Sequence, residues 1–200
     1  MRIIGVTGGV GCGKSTVLSY VEKKYDACVL YSDEAARFLM QRGEPCFAPV
    51  VQLFGKEVIG PEGELDRAKI AALVFQDEGL RQQLNGIVHP AVRTYILKQI
   101  QEQRDLGRTF FFLEAALLVE EKYNEIYQEL WYVYADEAVR RERLKKSRGY
   151  SDEKITAVMR SQLTEREFRA AADVVIDNSG APEETQRQVD RRLAGLIGES

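Results

Sequence analysis

The sequence predicts an α/β protein, an open sheet of five parallel strands with helices layered on both faces. Two observations carry that prediction. The first is a strand, turn and helix in immediate succession: an apolar run over 2–7, a glycine-rich turn over 8–13 and a helical pattern from Ser15 to Val21. The second is the return of short continuous apolar runs at 27–31, 109–113, 130–135 and 172–177, the pattern of parallel strands covered on both faces.

The first turn is the most specific feature of the chain. Gly8 to Ser15 reads Gly-Gly-Val-Gly-Cys-Gly-Lys-Ser, a full match to G-x-x-x-x-G-K-[ST] in the strand-to-helix context that this phosphate-binding motif, the P-loop, requires. Glycines at 8, 9, 11 and 13 let the backbone turn with no Cβ in the way, so successive N–H groups can point at phosphate oxygens. Lys14 is then expected to set its charge on the β- and γ-phosphates and the Ser15 hydroxyl to coordinate Mg²⁺. Cys12 has two readings, a passive small side chain or a thiol acidified by the helix N-terminus.

Whole-chain properties narrow the class. Two hundred residues suit one α/β domain with insertions. A net charge of −3 and a pI of about 5.5 argue against a general nucleic-acid binder, whose surface would be basic. Cys12, Cys28 and Cys46 are odd in number and lack metal-ligand spacing, so neither a disulfide framework nor a zinc site is expected. No secretory segment precedes the motif and no apolar run approaches the ~18 residues of a membrane span. A cytoplasmic protein with no membrane partner is expected.

Taken in order, the run at 27–31 ends at Ser32-Asp33, and 34–40 looks helical. Ligands of open parallel sheets sit beyond the carboxyl ends of the strands, which would bring Asp33 to the crevice of the phosphate loop. Asp33 also suits a helix N-cap, and both readings can hold together. Residues 43–108 lack the strand-then-helix rhythm and read as a mainly helical insertion, with Asp66 as a cap for the helix through Ile70, Leu73 and Val74. Val92, Ile96 and Ile100 form one stripe after His89-Pro90, which predicts an amphipathic helix with Pro near its first turn. His89, the sole histidine, is then a local capping residue or a substrate contact or acid–base group.

The run at 109–113 ends at Glu114, where an acid can hold Mg²⁺ or its waters, or stand as an exposed strand-end carboxylate. After the strand at 130–135, six of the nine residues from Arg140 to Arg148 are basic. Such a run is usually a solvated helix face. Directly after a strand in a phosphate-loop protein it also suits a lid that closes arginines over a transferring phosphoryl group. The strand at 172–177 leads to the turn Asn178-Ser179-Gly180, and 183–196 reads as a polar helix with Val189, Leu193 and Leu196 packed on the sheet.

These pieces together resemble the dephospho-CoA kinase family, almost end to end. The resemblance is carried by 7–16, by Ser32-Asp33 with Ala36-Arg37, by Leu65-Asp66-Arg67, by Leu84-Asn85 with Ile87 and His89-Pro90, by Leu117-Leu118-Val119-Glu120, by Arg143-Leu144, by Gln162 and by 172–178. It implies a single P-loop kinase domain over 1–200 with a three-layer α/β/α core at about 1–42, 109–135 and 162–200. A helical substrate-binding insertion would span about 43–108 and a basic lid about 136–161. It implies ATP and Mg²⁺ as cosubstrate and metal, and dephospho-CoA as a small-molecule acceptor phosphorylated on its 3′-hydroxyl. Gly9, Gly11, Cys12, Gly13, Lys14, Ser15, Thr16 and, by fold analogy near the adenine, Asn178 would bind ATP. Thr7, Asp33, Arg37, His89 and Glu114 would face the acceptor. Asp33 would act as base with Lys14, and Arg140, Arg143 or Arg148 would stabilise the transferred charge. A monomer or weak homo-oligomer is expected.

The chain departs from the family at four places. Tyr31-Ser32-Asp33 stands where Asp-Ala-Asp is usual, which leaves the catalytic load on Asp33. Cys12 replaces a common serine, and Ala116 a common proline before the Leu-Leu pair. Arg143-Leu144-Lys145-Lys146-Ser147-Arg148 shifts the second arginine of Arg-Leu-x-x-Arg by one residue, about 100° around a helix. Two rivals remain at this stage. Another small-molecule kinase of a nucleoside, nucleotide or shikimate-like alcohol would share loop and lid. A nucleotide-operated switch would lack a use for the clustered bases, and no Asn-Lys-x-Asp segment is present.

Overall fold

The computed structural model describes residues 1–115 and 125–198. The expected family segment at 117–120 and Ala116 lie outside them. In chain order the elements are β1 (Arg2–Thr7), α1 (Lys14–Lys24), β2 (Ala27–Tyr31), α2 (Ser32–Leu39), α3 (Phe47–Phe54), a 3₁₀ turn (Lys56–Val58), α4 (Arg67–Gln76) and α5 (Glu78–Asp105). They continue with β3 (Phe110–Glu114), β4 (Glu129–Tyr134), α6 (Glu137–Arg148), α7 (Asp152–Arg160), α8 (Glu165–Ala171), β5 (Val174–Asp177) and α9 (Pro182–Gly198). The five strands form one sheet in the order β2-β3-β1-β4-β5, as the apolar runs predicted.

The chain divides into two compact units, Met1–Val29 with Leu106–Ser200, and Leu30–Asp105. In the first, β1 lies parallel to both β3 and β4, with Ile4 level with Phe112 and Val6 level with Trp131. Phe110 to Leu113 and Leu130 to Val133 are all buried, and Phe112 meets the Trp131 ring edge-on at 5.5 Å. Burial on both sides explains why these strands read as unbroken apolar runs rather than alternating ones. The Val189, Leu193 and Leu196 stripe of α9 is buried as expected.

A charged cluster ties α9 to α1. Asp190 accepts hydrogen bonds from Tyr20 (2.7 Å), Tyr25 (2.6 Å) and Lys24 (2.7 Å). Burial opposes the Asp190 charge, but the bonds from Lys24, Tyr25 and Tyr20 outweigh it and hold the carboxyl below its ordinary 3.8. Because the folded value is the lower one, this contribution is complete above pH 3.8 and is lost as pH falls through the folded value. Asp190→Ala is expected to cost about 1 kcal/mol at pH 7, a figure kept low because the site is partly solvated. Thermal melts should show the gap to the parent closing as the pH drops below about 4. An equal gap at every pH would mean that packing, not charge, sets it.

The second unit is helical. Phe38 of α2 packs on Tyr95 of α5 with ring centroids 5.6 Å apart, which draws α2 into this unit. Asp66 caps α4 as expected, accepting from the Lys69 N–H at 3.0 Å. The expectation for α5 is corrected. Its helix does not begin at His89-Pro90 but runs unbroken from Glu78 to Asp105 with Pro90 inside. Asp77 caps it, accepting from the Leu80 N–H at 3.0 Å. Pro90 can supply no N–H for the Gly86 carbonyl, but both residues are exposed, so water can serve that oxygen. A proline in a helix interior costs about 3 kcal/mol, and the buried stripe Val88, Val92, Ile96 and Ile100 offsets it.

Candidate active site

The turn between β1 and α1 is held open by side chains from distant parts of the first unit. Gly13 caps α1 with a left-handed φ of 91° and without any side-chain acceptor. Any side chain at Gly13 would collide with the Asn178 amide, and one at Gly9 with the Arg140 guanidinium. The amides of Gly11, Gly13 and Ser15 have no protein acceptor among the described residues. They form the unsatisfied, positively polarised end of a helix, which suits a phosphate group.

Lys14 lies beside these amides. Its Nζ donates to the Gly8 carbonyl at 2.7 Å and sits 3.4 Å from Glu114. Those oxygens stand in for the phosphate oxygens that a P-loop lysine meets. Glu114 is not an exposed strand-end carboxylate, since its side chain keeps only 15% of its surface beside that lysine. The exposed Ser15 hydroxyl and the Glu114 carboxylate are hard oxygen donors of the kind Mg²⁺ takes.

The basic run is one helix, α6, but not one face. The Arg140 Nε donates to the Val10 carbonyl at 2.8 Å. Arg143 donates to the carbonyls of Cys12 at 3.3 Å and Asn178 at 2.8 Å, and Leu144 is buried between these turns. Arg141 and Lys145 turn instead toward Asp152, with Lys145 at 2.8 Å. Arg148 is exposed at the end of α6, its guanidinium 5.8 Å from the Tyr150 ring centre. It is two turns, about 12 Å, beyond Arg140. The structure thus brings Arg140 and Arg143 to the loop and leaves Arg148 away from it.

Two expectations change and one pair of alternatives is decided. Thr7 is fully buried and its Oγ1 has no hydrogen-bond partner among the described residues, because β1 ends inside the covered sheet. A residue with no exposed surface cannot touch an acceptor in this conformation. Asn178 is also buried, and its side chain is engaged by the protein. Its amide donates to the Cys12 carbonyl at 2.8 Å and its oxygen accepts from Thr185 at 3.0 Å, which braces the loop. Cys12 is the passive residue. It is 2% exposed, and burial pushes its thiol up despite the nearby Lys14, against the acidified alternative.

One contributor escaped the spacing arguments. Gln162 accepts from the Val10 N–H at 2.9 Å and from Arg140 at 3.4 Å, so it pins the loop and the arginine together. Its place in the resemblance was the only sequence signal for it.

In the second unit, Asp33 is not the cap of α2. Tyr31 holds that position without capping the helix through its side chain, and Asp33 is the second helical residue. Its carboxylate is exposed and has no hydrogen bond or ion pair among the described residues. Arg37 is exposed one turn further along α2, and His89 is half-buried in the middle of α5. Among the described residues no helix is long and apolar enough to cross a membrane.

Comparison with known proteins agrees with this geometry. The model of the dephospho-CoA kinase family matches residues 2–184. Dephospho-CoA kinases of Shouchella clausii and Aquifex aeolicus are each 40% identical to the chain, over 191 and 193 residues and at least 95% of either partner. A crystal structure from Thermus thermophilus, 33% identical, superposes with a TM-score of 0.83 over 98% of this chain and 97% of that one. Dephospho-CoA kinase from Campylobacter jejuni (21% identical, TM-score 0.74, all of both chains) and a shikimate kinase from Bacteroides thetaiotaomicron (14%, 0.52, 98% of both) share the fold. A phosphate loop whose amides at Gly11, Gly13 and Ser15 meet no acceptor among the described residues, held by a lysine and two arginines, therefore stands in a chain that belongs to the dephospho-CoA kinase family.

Proposed function

We propose that the protein transfers the γ-phosphoryl group of ATP to the 3′-hydroxyl of dephospho-CoA, giving coenzyme A and ADP. The observation that carries the reading is the set of amides at Gly11, Gly13 and Ser15 beside Lys14 that meet no acceptor among the described residues. The amides from Gly11 to Thr16, with the close-packed Gly9 ahead of them, bind the β- and γ-phosphates, and Lys14 neutralises charge on the group in flight. Arg140 and Arg143 stabilise its equatorial oxygens. Ser15, aided by Glu114, would hold Mg²⁺, which neutralises phosphate charge when bound.

Asp33 orients the acceptor hydroxyl and accepts its proton late in a loose transition state. Support comes from its carboxylate, which has no hydrogen bond or ion pair among the described residues, and from its place at the helix start after β2, matching the place of the phosphate loop after β1. Arg37 and the His89 region of the helical insertion contact the remainder of the acceptor. The enzyme works in the cytoplasm as a monomer or weak homo-oligomer.

An acceptor panel read by ADP release tests the reaction. Dephospho-CoA should give strong turnover and a product phosphorylated at the 3′ position. Nucleosides, nucleotides and shikimate should be far weaker. Slow ATP turnover indifferent to every acceptor would overturn the reading in favour of a nucleotide switch.

A further inference from the structure

The unit Leu30–Asp105 holds a cavity of about 440 Å³ walled by Met40, Gln41, Arg42, Glu64, Leu65 and Arg67. It is built at the end of α2 and the start of α4. The Arg67 guanidinium donates to the Arg37 carbonyl at 3.1 Å, so it is fixed against the last turn of α2. The wall opposite is firm. Ile59 and Leu65 pair antiparallel, the Gly60 N–H donates to the Glu64 carbonyl at 2.7 Å, and the Asp66 N–H donates to the Val58 carbonyl at 2.7 Å. Glu64, the one acid in the wall, accepts from the backbone N–H of Arg42 at 3.2 Å. No carboxylate lies within ion-pair distance of the Arg37, Arg42 or Arg67 side chains among the described residues. Two arginines in one wall, neither side chain within ion-pair distance of an acid among the described residues, leave a local positive charge in an acidic protein.

We propose that Arg42 and Arg67 bind the diphosphate bridge of the acceptor in this cavity. The inference rests on the kinase reading above, which sets the acceptor's 3′-hydroxyl at Asp33. The first phosphorus of dephospho-CoA is five covalent bonds from that oxygen and the second is seven. At about 1.2 Å of reach per bond in an extended chain, they lie about 6 and 8 Å away. Along α2, Arg37 is four residues beyond Asp33 and Met40 is seven, which is about 6 and 10 Å of rise. Arg67 is bonded to the Arg37 carbonyl, inside that interval. The spacing of the hydroxyl and the diphosphate within the acceptor therefore matches the spacing of Asp33 and the arginine cavity within this unit. Guanidinium forks also fit paired phosphate oxygens, which an ammonium would meet only as a point charge. Acceptors that present the same hydroxyl without a diphosphate are selected against here, because they give both guanidiniums no anionic partner.

The experiment compares dephospho-CoA with adenosine, which carries the same 3′-hydroxyl and no diphosphate, in the parent and in Arg42→Ala/Arg67→Ala. In the double variant kcat/KM for dephospho-CoA should fall about 10- to 100-fold, through KM, the loss expected for charged hydrogen bonds. Its KM for ATP and its weak turnover of adenosine should stay within about threefold of the parent, the range of surface changes. Arg67→Lys should recover part of the loss. An unchanged KM for dephospho-CoA, an equal loss with adenosine, or a parallel rise in KM for ATP would each overturn the assignment while leaving the kinase reading in place. Failure of the parent to phosphorylate dephospho-CoA would overturn both.

Discussion

Arg140→Ala and Arg143→Ala are each expected to lower kcat about 10³-fold, whereas Arg148→Ala should change it less than about threefold. The scale is that of an arginine that meets the transferring phosphoryl group, typically 10³–10⁵ in rate. What separates the three residues is their placement on α6. Arg140 and Arg143 reach the carbonyls of Val10, Cys12 and Asn178, so their charge already stands at the rim of the phosphate loop. Arg148 stands over Tyr150 in solvent. Steady-state kinetics with both substrates varied separates two roles. A group that acts only in the transition state lowers kcat with KM for ATP nearly constant. A group that merely braces the loop raises KM for ATP instead. Lysine at either position keeps the charge but loses the fork that spans two oxygens, so only partial recovery is expected. Three mild losses would return α6 to the role of a solvated helix.

Features legible in the sequence were those fixed by local chemistry. β1, β3 and β4 are covered on both faces, so each reads as an apolar run, and the loop must use glycine and lysine where phosphate approaches. Legibility failed where a residue's role depends on a partner far along the chain. Gln162 and Val10 are 152 residues apart and Asn178 and Cys12 166, and no periodicity encodes such pairs. The basic run was visible as charge, but its division between loop and Asp152 depends on where α7 packs. At Pro90 the local rule favours a helix start, and tertiary burial of the α5 stripe overrides it. Asp33 shows the reverse case. Its residue type fits a cap, yet α2 begins two residues earlier than a cap at 33 allows, which leaves the carboxylate unengaged among the described residues.

That unengaged carboxylate makes Asp33→Asn the most discriminating substitution. The amide is nearly the same size and can still hydrogen-bond to an alcohol, but it cannot accept the proton. Turnover of dephospho-CoA should therefore fall about 10²–10⁴-fold, the usual contribution of a positioned base. KM for ATP should remain at the parent value, because the phosphate loop keeps every one of its own contacts. The melting temperature should also be unchanged, since an exposed residue with no hydrogen bond or ion pair among the described residues contributes within about ±0.5 kcal/mol. Stability and rate thus point in different directions for the two jobs that residue 33 suited from its sequence. A helix cap would register in the melt and spare the chemistry, while a base would do the opposite. Near-parental turnover by Asp33→Asn would remove Asp33 from the reaction. The transfer would then need no carboxylate at this position, and positioning by Lys14 and the arginines of α6 would have to account for the whole rate.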